Sequence, residues 1–236
     1  MSLAWSSVKA LTIPVGGTAR DVKRVTAGGV TLWEKAPALP YDAEVEYIES
    51  TGTQYILTDT YLNYPNDDSN VVAELLFTQT ADHRQLMGWN WGAVVGMASS
   101  SETVDGSNPS YSLPVNTWHT LETDVKWSET TATATRKCDG VVVRTSTAAA
   151  SGTATQPFAG FSLYSTVGMY AYICYAKIKR LIGRLNGIVV HDFIPVRIGS
   201  IGYLYDKANP TGGPLGNGLY PNSGYGAFVI GPDKNA

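Results

Sequence analysis

Two acids stand two residues apart in Glu122-Thr123-Asp124, inside a run from Thr117 to Lys126 that alternates between two sets of side chains. In an extended chain that spacing puts both carboxylates on one face. A retaining glycosidase needs two carboxyl groups roughly 5 Å apart, one as nucleophile and one as acid/base. On a strand that pattern reads Glu-x-Asp-x-(x)-Glu. Lys126-Trp127-Ser128 stand where the third acid belongs, and Glu129 comes too late. The acid/base group is missing, and Glu122 and Asp124 read as solvent-facing. There is no Gly-x-Ser-x-Gly, phosphate-binding loop or zinc motif either. Cys138 and Cys174 lie far apart, and His83, His119 and His191 are scattered. Without Cys-x-x-Cys or His-x-x-x-His spacing, metal ligation by these residues is not expected, and the cysteines read as reduced thiols, a disulfide between them being the alternative. No enzyme is expected.

Aromatic residues offer a different chemistry. Met87-Gly88-Trp89-Asn90-Trp91-Gly92 places two indoles at i and i+2, on one face of an extended chain. Trp89 and Trp91 could stack on the C–H faces of a sugar while Asn90 hydrogen-bonds its hydroxyls; equally, both rings could fill the core. Tyr61 and Tyr64, with Tyr203, Tyr205, Tyr220 and Tyr225, lie in turn-rich segments. They offer rigid contact area at low rotamer entropy, or ordinary packing. Asn66-Asp67-Asp68-Ser69-Asn70 supplies oxygen ligands, with Asp67 and Asp68 as the carboxylates for Ca2+, which takes about six to eight oxygens. The same run also reads as a solvated loop. No cofactor other than Ca2+ is expected. Trp33, Trp127 and Tyr164 read as core or interface, and Lys177-Ile178-Lys179-Arg180 as a solvated strand edge.

These residues need elements to position them. The 236 residues are 44% hydrophobic and 16% charged, enough apolar matter for a core and less charge than the roughly 25% usual in soluble domains. That excludes a disordered chain and a coiled coil. Seventeen basic residues against 20 acidic ones give a net charge of −3, not the basic footprint of a nucleic-acid binder. No apolar run reaches the roughly 18 residues a membrane span needs, so no membrane insertion is expected. Met1 to Ser7 lacks the basic and apolar regions of a signal peptide. Helical periodicity is nearly absent, whereas period-two alternation recurs. Val71, Ala73, Leu75 and Phe77 share one strand face. Thr130 to Arg136 is a β-branched ribbon, turned back at Asp139-Gly140 by a type I′ turn into Val141 to Thr145. Tyr170 to Lys179 is a further strand, and Ile188 to Arg197 follows the turn at Leu185-Asn186-Gly187. The first 36 residues read as a three-strand β appendage: Leu11 to Val15, then a hairpin of Asp21 to Val25 and Val30 to Trp33. Residues 37–40 form a proline-stiffened linker, and 41–236 an all-β sandwich or barrel.

Two segments carry a family resemblance. Val45-Glu46-Tyr47-Ile48-Glu49-Ser50-Thr51-Gly52-Thr53-Gln54-Tyr55-Ile56 is one. The other is His191-Asp192-Phe193-Ile194-Pro195-Val196-Arg197, continued by Gly202-Tyr203-Leu204-Tyr205-Asp206 and Phe228-Val229-Ile230-Gly231-Pro232. Together they resemble the first and last strands of concanavalin A-like (laminin G-like) jelly-roll domains of phage and prophage structural proteins and of gut bacteria. Asn116-Thr117-Trp118-His119-Thr120-Leu121 resembles the Trp-His strand of laminin G-like modules, and the N-terminal appendage is similar to small β modules of tail-associated phage proteins. The resemblance covers residues 41–233. It implies a two-sheet antiparallel jelly-roll sandwich whose first and last strands lie side by side. It further implies a non-enzymatic structural or adhesion protein, lectin-like, with cell-surface carbohydrate as the ligand class. A homo-oligomer, or docking to a larger assembly through residues 1–36, follows from the same reading. The expected place is a virion, on the phage tail or particle surface, or a bacterial cell surface. A glucanase-type glycoside hydrolase and a bacterial surface glycan-binding protein unrelated to phage are the alternatives.

Overall fold

The computed structural model describes residues 11–15, 18–27, 29–34, 38–61, 67–78, 85–89, 95–98, 114–128, 130–149, 157–160 and 175–234, with backbone alone for 13–15, 18–21, 34, 85–89, 95–98 and 148–149. Among these residues there are strands, turns and bends and no helix. The chain divides into two compact units, Met1–Leu39 and Pro40–Ala236. The division falls inside the proline-bearing stretch 37–40.

In the first unit β1 (Thr12–Val15) pairs with β2 (Thr18–Asp21), and β3 (Arg24–Ala27) with β4 (Val30–Glu34). Among the described residues four strands therefore stand where the sequence suggested three. Val22 and Val25 are three apart, so one unbroken strand would turn them to opposite faces. The chain instead breaks at Val22-Lys23, and the Val22 N–H donates to the Leu11 carbonyl.

The second unit continues with β5 (Ala43–Glu44), β6 (Ile48–Thr51), β7 (Ile56–Tyr61), β8 (Ser69–Phe77), β9 (Gln85–Trp89) and β10 (Val95–Ala98). Next come β11 (Trp118–Trp127), β12 (Thr131–Cys138), β13 (Val141–Ala149), β14 (Pro157–Gly160), β15 (Tyr175–Leu185) and β16 (Ile188–Ile198). The last are β17 (Ile201–Asp206), β18 (Leu219–Tyr220) and β19 (Val229–Ile230). One sheet of eleven strands runs β13-β12-β11-β8-β15-β16-β17-β18, with β5, β6 and β19 attached beside it. A second, of four strands, runs β10-β9-β14-β7. All ladders are antiparallel. The fold is an all-β two-sheet sandwich, consistent with a jelly roll.

Alternation explains which face packs inward. On β8, Val71, Ala73, Leu75 and Phe77 are buried while Glu74 is exposed. Leu121 and Val125 of β11, Ala176, Ile178 and Leu181 of β15, and Phe193 of β16 join them, as do Ile56 and Phe158 from the four-stranded sheet. Truncating one of the larger of these to alanine costs about 2–5 kcal/mol, since the cavity collapses only in part. The turns are as the sequence suggests. Asp139 and Gly140 (φ 49° and 81°) join β12 to β13, and Asn186 and Gly187 (φ 51° and 80°) join β15 to β16.

The two recognisable ends of the domain meet. One edge of β15 takes β6 along its first half and β16 along its second, so the sheet forks and β5–β6 fills the gap. Val45 N–H donates to the Pro195 carbonyl, and Ile48 and Glu49 pair with Ile230 and Val229. Gly202 sits where a Cβ would come within 2.8 Å of Ile230 and 3.1 Å of Ile48. Buried Gln54 accepts from the Thr51 N–H (2.8 Å), and Ser50 Oγ donates to the Gln54 carbonyl (2.9 Å). The adjoining loop is tied to the C-terminal segment through Tyr225 N–H to Thr53 O and Ser223 N–H to Tyr55 O.

Candidate functional site

The outer face of the large sheet is built around an irregularity in β15. Its register against β8 pairs Ile178 with Leu75 and then Arg180 with Glu74, leaving Lys179 as an extra residue. Such a bulge shifts the side-chain phase by one. Ala176 and Ile178 point inward before it and Leu181 after it, so Lys179 and Arg180 both face outward. The run Lys177 to Arg180 thus lies within the sheet and not at its edge: β15 pairs with β8 on one side and with β6 and then β16 on the other, and Lys179 and Arg180 fall at the fork between the last two. The charges are tolerated in the middle of the sheet because they emerge on its solvent face.

Each cation there is held. Arg180 donates to both oxygens of Asp192 at 2.9 and 3.0 Å. Asp192, foremost through these hydrogen bonds, and then Glu74 push the guanidinium still further above its ordinary pKa. Lys179 Nζ lies 4.0 Å above the Trp118 ring, and Lys177 Nζ lies 4.5 Å above Tyr47 and 3.8 Å from Glu49. The Trp118 and Tyr47 rings are 6.3 Å apart. Cation–π contacts of this kind contribute about 0.5–1 kcal/mol at exposed sites.

Beside this platform lies a cleft of about 490 Å3. Glu44, Glu46 and Glu74 line it together with Lys179, Arg180, Lys207 and Lys234. Lys234 pairs with Glu44 at 3.4 Å. A recess of about 100 Å3, bounded by Trp118, His119, Thr120 and Asp139, shares Glu74 and Lys179 with the cleft. Three acids against four bases leave the cleft nearly neutral. It offers fixed acceptors and donors side by side, which suits a ligand carrying many neutral hydroxyls better than a polyanion.

Between the sheets a second polar group is closed off. His191 of β16, 1% exposed, has Nδ1 2.7 Å from Asp206 Oδ2 and Nε2 2.8 Å from the Thr60 hydroxyl of β7. Burial would raise the Asp206 pKa. The bonds to His191 and to the Asp192 and Ala208 N–H groups outweigh it and hold the carboxyl below the usual range. The imidazole also stacks on Phe193 (4.9 Å) and lies 5.4 Å from Phe158. This Thr-His-Asp chain joins the two sheets.

The residues singled out from the sequence fall in several places. Tyr61 ends β7 and is exposed, and Trp89 ends β9; the two strands flank β14. Asn90, Trp91, Tyr64 and the Trp89 side chain lie outside the described residues. Asp67 accepts from the Asn186 side chain (2.8 Å), while Asp68 accepts from Lys126 and from the Trp127 N–H, both at 3.1 Å. These carboxylates hold the mouth of β8 to neighbouring strands. Tyr205 and Tyr220 are buried, Tyr225 is exposed, and Trp127 packs against the core. Trp33 is buried. Glu122 faces outward, accepting from Asn70 (2.9 Å) and Lys137 (3.2 Å), and Asp124 lies 3.9 Å from Lys126. The cleft was not found from the sequence. Its one local signal is the pair Lys179-Arg180, two consecutive charges that break the alternation of β15.

No family model matches the chain, and no curated protein matches it. Among solved structures it is similar to a crystal structure of a candidate carbohydrate-binding protein from Bacteroides ovatus ATCC 8483, at 11% identity and a TM-score of 0.48, covering 92% of this chain and 67% of that one.

Proposed function

We propose that the second unit is a non-catalytic carbohydrate-binding module whose ligand lies in the cleft on the outer face of the large sheet. The observation that carries this reading is the cleft itself. Its volume is in the range of small-ligand sites, its acids and bases are nearly balanced, and the Arg180–Asp192 and Lys234–Glu44 pairs pre-orient part of its lining. Adjacent sugar hydroxyls can each donate to a carboxylate and accept from an ammonium or guanidinium group. Trp118 carries Lys179 on its ring and so holds that ammonium at the cleft.

The wider role we infer is that of a concanavalin A-like module in a structural or adhesion protein, phage- or prophage-derived, at a virion or bacterial surface. The meeting of the YIESTGTQYI strand with the C-terminal strands supports this reading. Single lectin sites are weak, so several copies, through self-association or docking of residues 1–36 to a larger assembly, would raise avidity by orders of magnitude.

A glycan array probed with the purified chain tests the proposal. Binding to a defined set of neutral glycans is expected, with Trp118→Ala and Glu74→Gln each weakening it at least tenfold and Trp89→Ala/Trp91→Ala leaving it in place. Loss in the Trp89/Trp91 variant alone would move the site to that loop. An array with no bound glycan would overturn the function, and reducing-sugar release from β-glucans would overturn the non-catalytic part.

A further inference from the structure

A second site is assembled where β11 begins and β12 ends. Cys138 is paired with Leu121, and His119 lies two residues before Leu121. All three therefore belong to the core-facing side, and Cys138 packs against the core. His119 and Cys138 stand where the strands run out, so their polar atoms meet instead of packing on a facing sheet. The turn after Cys138 adds Asp139. His119 Nδ1 is 2.8 Å from Asp139 Oδ2 and 3.7 Å from Cys138 Sγ, and Sγ is 3.5 Å from the same Oδ2.

These distances are those of a metal tripod. With Zn–S of about 2.3 Å and Zn–N and Zn–O of about 2.0 Å, tetrahedral angles put sulfur roughly 3.5 Å from each other donor, and nitrogen roughly 3.3 Å from oxygen. Two edges already fit, and the third needs to open by about 0.5 Å. A backbone contact orients the carboxylate. Asp139 Oδ1 accepts from the Thr120 N–H at 2.8 Å, leaving Oδ2 turned toward the other two donors. Such outer contacts fix metal ligands in place. The His119 side chain is nine-tenths buried, and its Nε2 has no partner. All of this ring's polar bonding is thus directed at the cluster. Asp139 is about half exposed, which leaves an entry path for an ion and for a water as its fourth ligand.

We infer that His119 Nδ1, Cys138 Sγ and Asp139 Oδ2 form a binding site for one divalent transition ion of the zinc class. Thiolate, imidazole and carboxylate together select such an ion over Ca2+ or Mg2+. Binding releases the thiol proton to solvent and forms the metal–sulfur bond. The site is separate from the Asp67/Asp68 loop and does not depend on glycan binding.

Co2+ is the probe, because cobalt bound to thiolate absorbs in the near ultraviolet and cobalt bound to oxygen alone does not. Titration of chelator-treated full chain should raise that band to a plateau at one equivalent, and one equivalent of Zn2+ should abolish it. Cys138→Ser should remove the band, while Cys174→Ser and Asp67→Asn/Asp68→Asn should keep it. His119→Gln, which spares the thiol, should weaken cobalt binding at least tenfold and serves if the serine variant fails to fold. Absence of a thiolate band, its survival in Cys138→Ser, or its loss in Cys174→Ser would overturn the site.

Discussion

Among the described residues the second unit holds two histidine–aspartate pairs of nearly equal length, 2.7 Å for His191–Asp206 and 2.8 Å for His119–Asp139. Their surroundings differ. Asp206 is fully buried and accepts from two backbone N–H groups besides the imidazole, while the second ring nitrogen of His191 meets Thr60. That chain is complete at both imidazole nitrogens and ends at half-buried Thr60. Asp139 is about half exposed, the His119 nitrogen turned away from it has no partner, and a thiol stands within reach of both the carboxylate and the facing Nδ1. The contact length is therefore uninformative. Burial and completeness separate a pair that fastens two sheets from one that is able to take a ligand.

The comparison breaks most visibly at Asp206. Asp206→Ala removes the acceptor of the buried His191 imidazole and of the Asp192 and Ala208 N–H groups, and should lower unfolding free energy by about 3–5 kcal/mol in urea titrations. A loss below about 1 kcal/mol would mean that the buried chain does not fasten the sheets. Metal addition should act on the other pair alone. Zn2+ at a hundredfold excess over its Kd should stabilise the native chain by about 2.7 kcal/mol, read as a raised Tm, and leave Cys138→Ser unmoved. Thr60→Val keeps the shape of the side chain and removes the partner of His191 Nε2, so a loss of about 1–2 kcal/mol is expected.

Acid sharpens the contrast further. The Asp206 carboxyl is held below its ordinary value in the folded state. Its contribution is complete above the unfolded value near pH 4 and fades as pH falls through the lower folded value. Denaturation midpoints followed from pH 6 to pH 2 should fall in the native chain and fall less steeply in Asp206→Asn. Asp139 is also shifted down, foremost by its bond to His119 and then by the Thr120 N–H. Water screens the half-exposed Asp139 carboxylate, so the acid limb of Asp139→Asn should follow the native one. The smallest effect is that of Asp139→Asn without metal, which keeps an acceptor for His119 and for the Thr120 N–H, under about 1 kcal/mol. A larger loss would show that this pair too is structural.

Much of this architecture is readable before folding. Val71, Ala73, Leu75 and Phe77 announce their common face because a strand turns alternate side chains to alternate sides. Asp139-Gly140 and Asn186-Gly187 announce their turns because those residue types accept positive φ. The cleft is less legible. Lys179-Arg180 reads as a solvated edge until the register against Leu75 and Glu74 reveals a bulge in a central strand. Trp118 was legible only as part of a Trp-His strand, since nothing local states that Lys179, some 60 residues later, would lie over its ring. His191 and Asp206 are 15 residues apart, and Thr60 is 131 residues from His191; no spacing rule connects them.

What the sequence determines on its own is the class of element: strands by alternation, turns by glycine and asparagine, and a sandwich because half-apolar strands must cover one another. What only the tertiary structure decides is neighbourhood. Sheet order, the fork at β15, and the joining of Thr60 to His191 and of His119 to Cys138 depend on pairings between distant segments. Those pairings are set by the collective burial of one core, which no window of the chain contains.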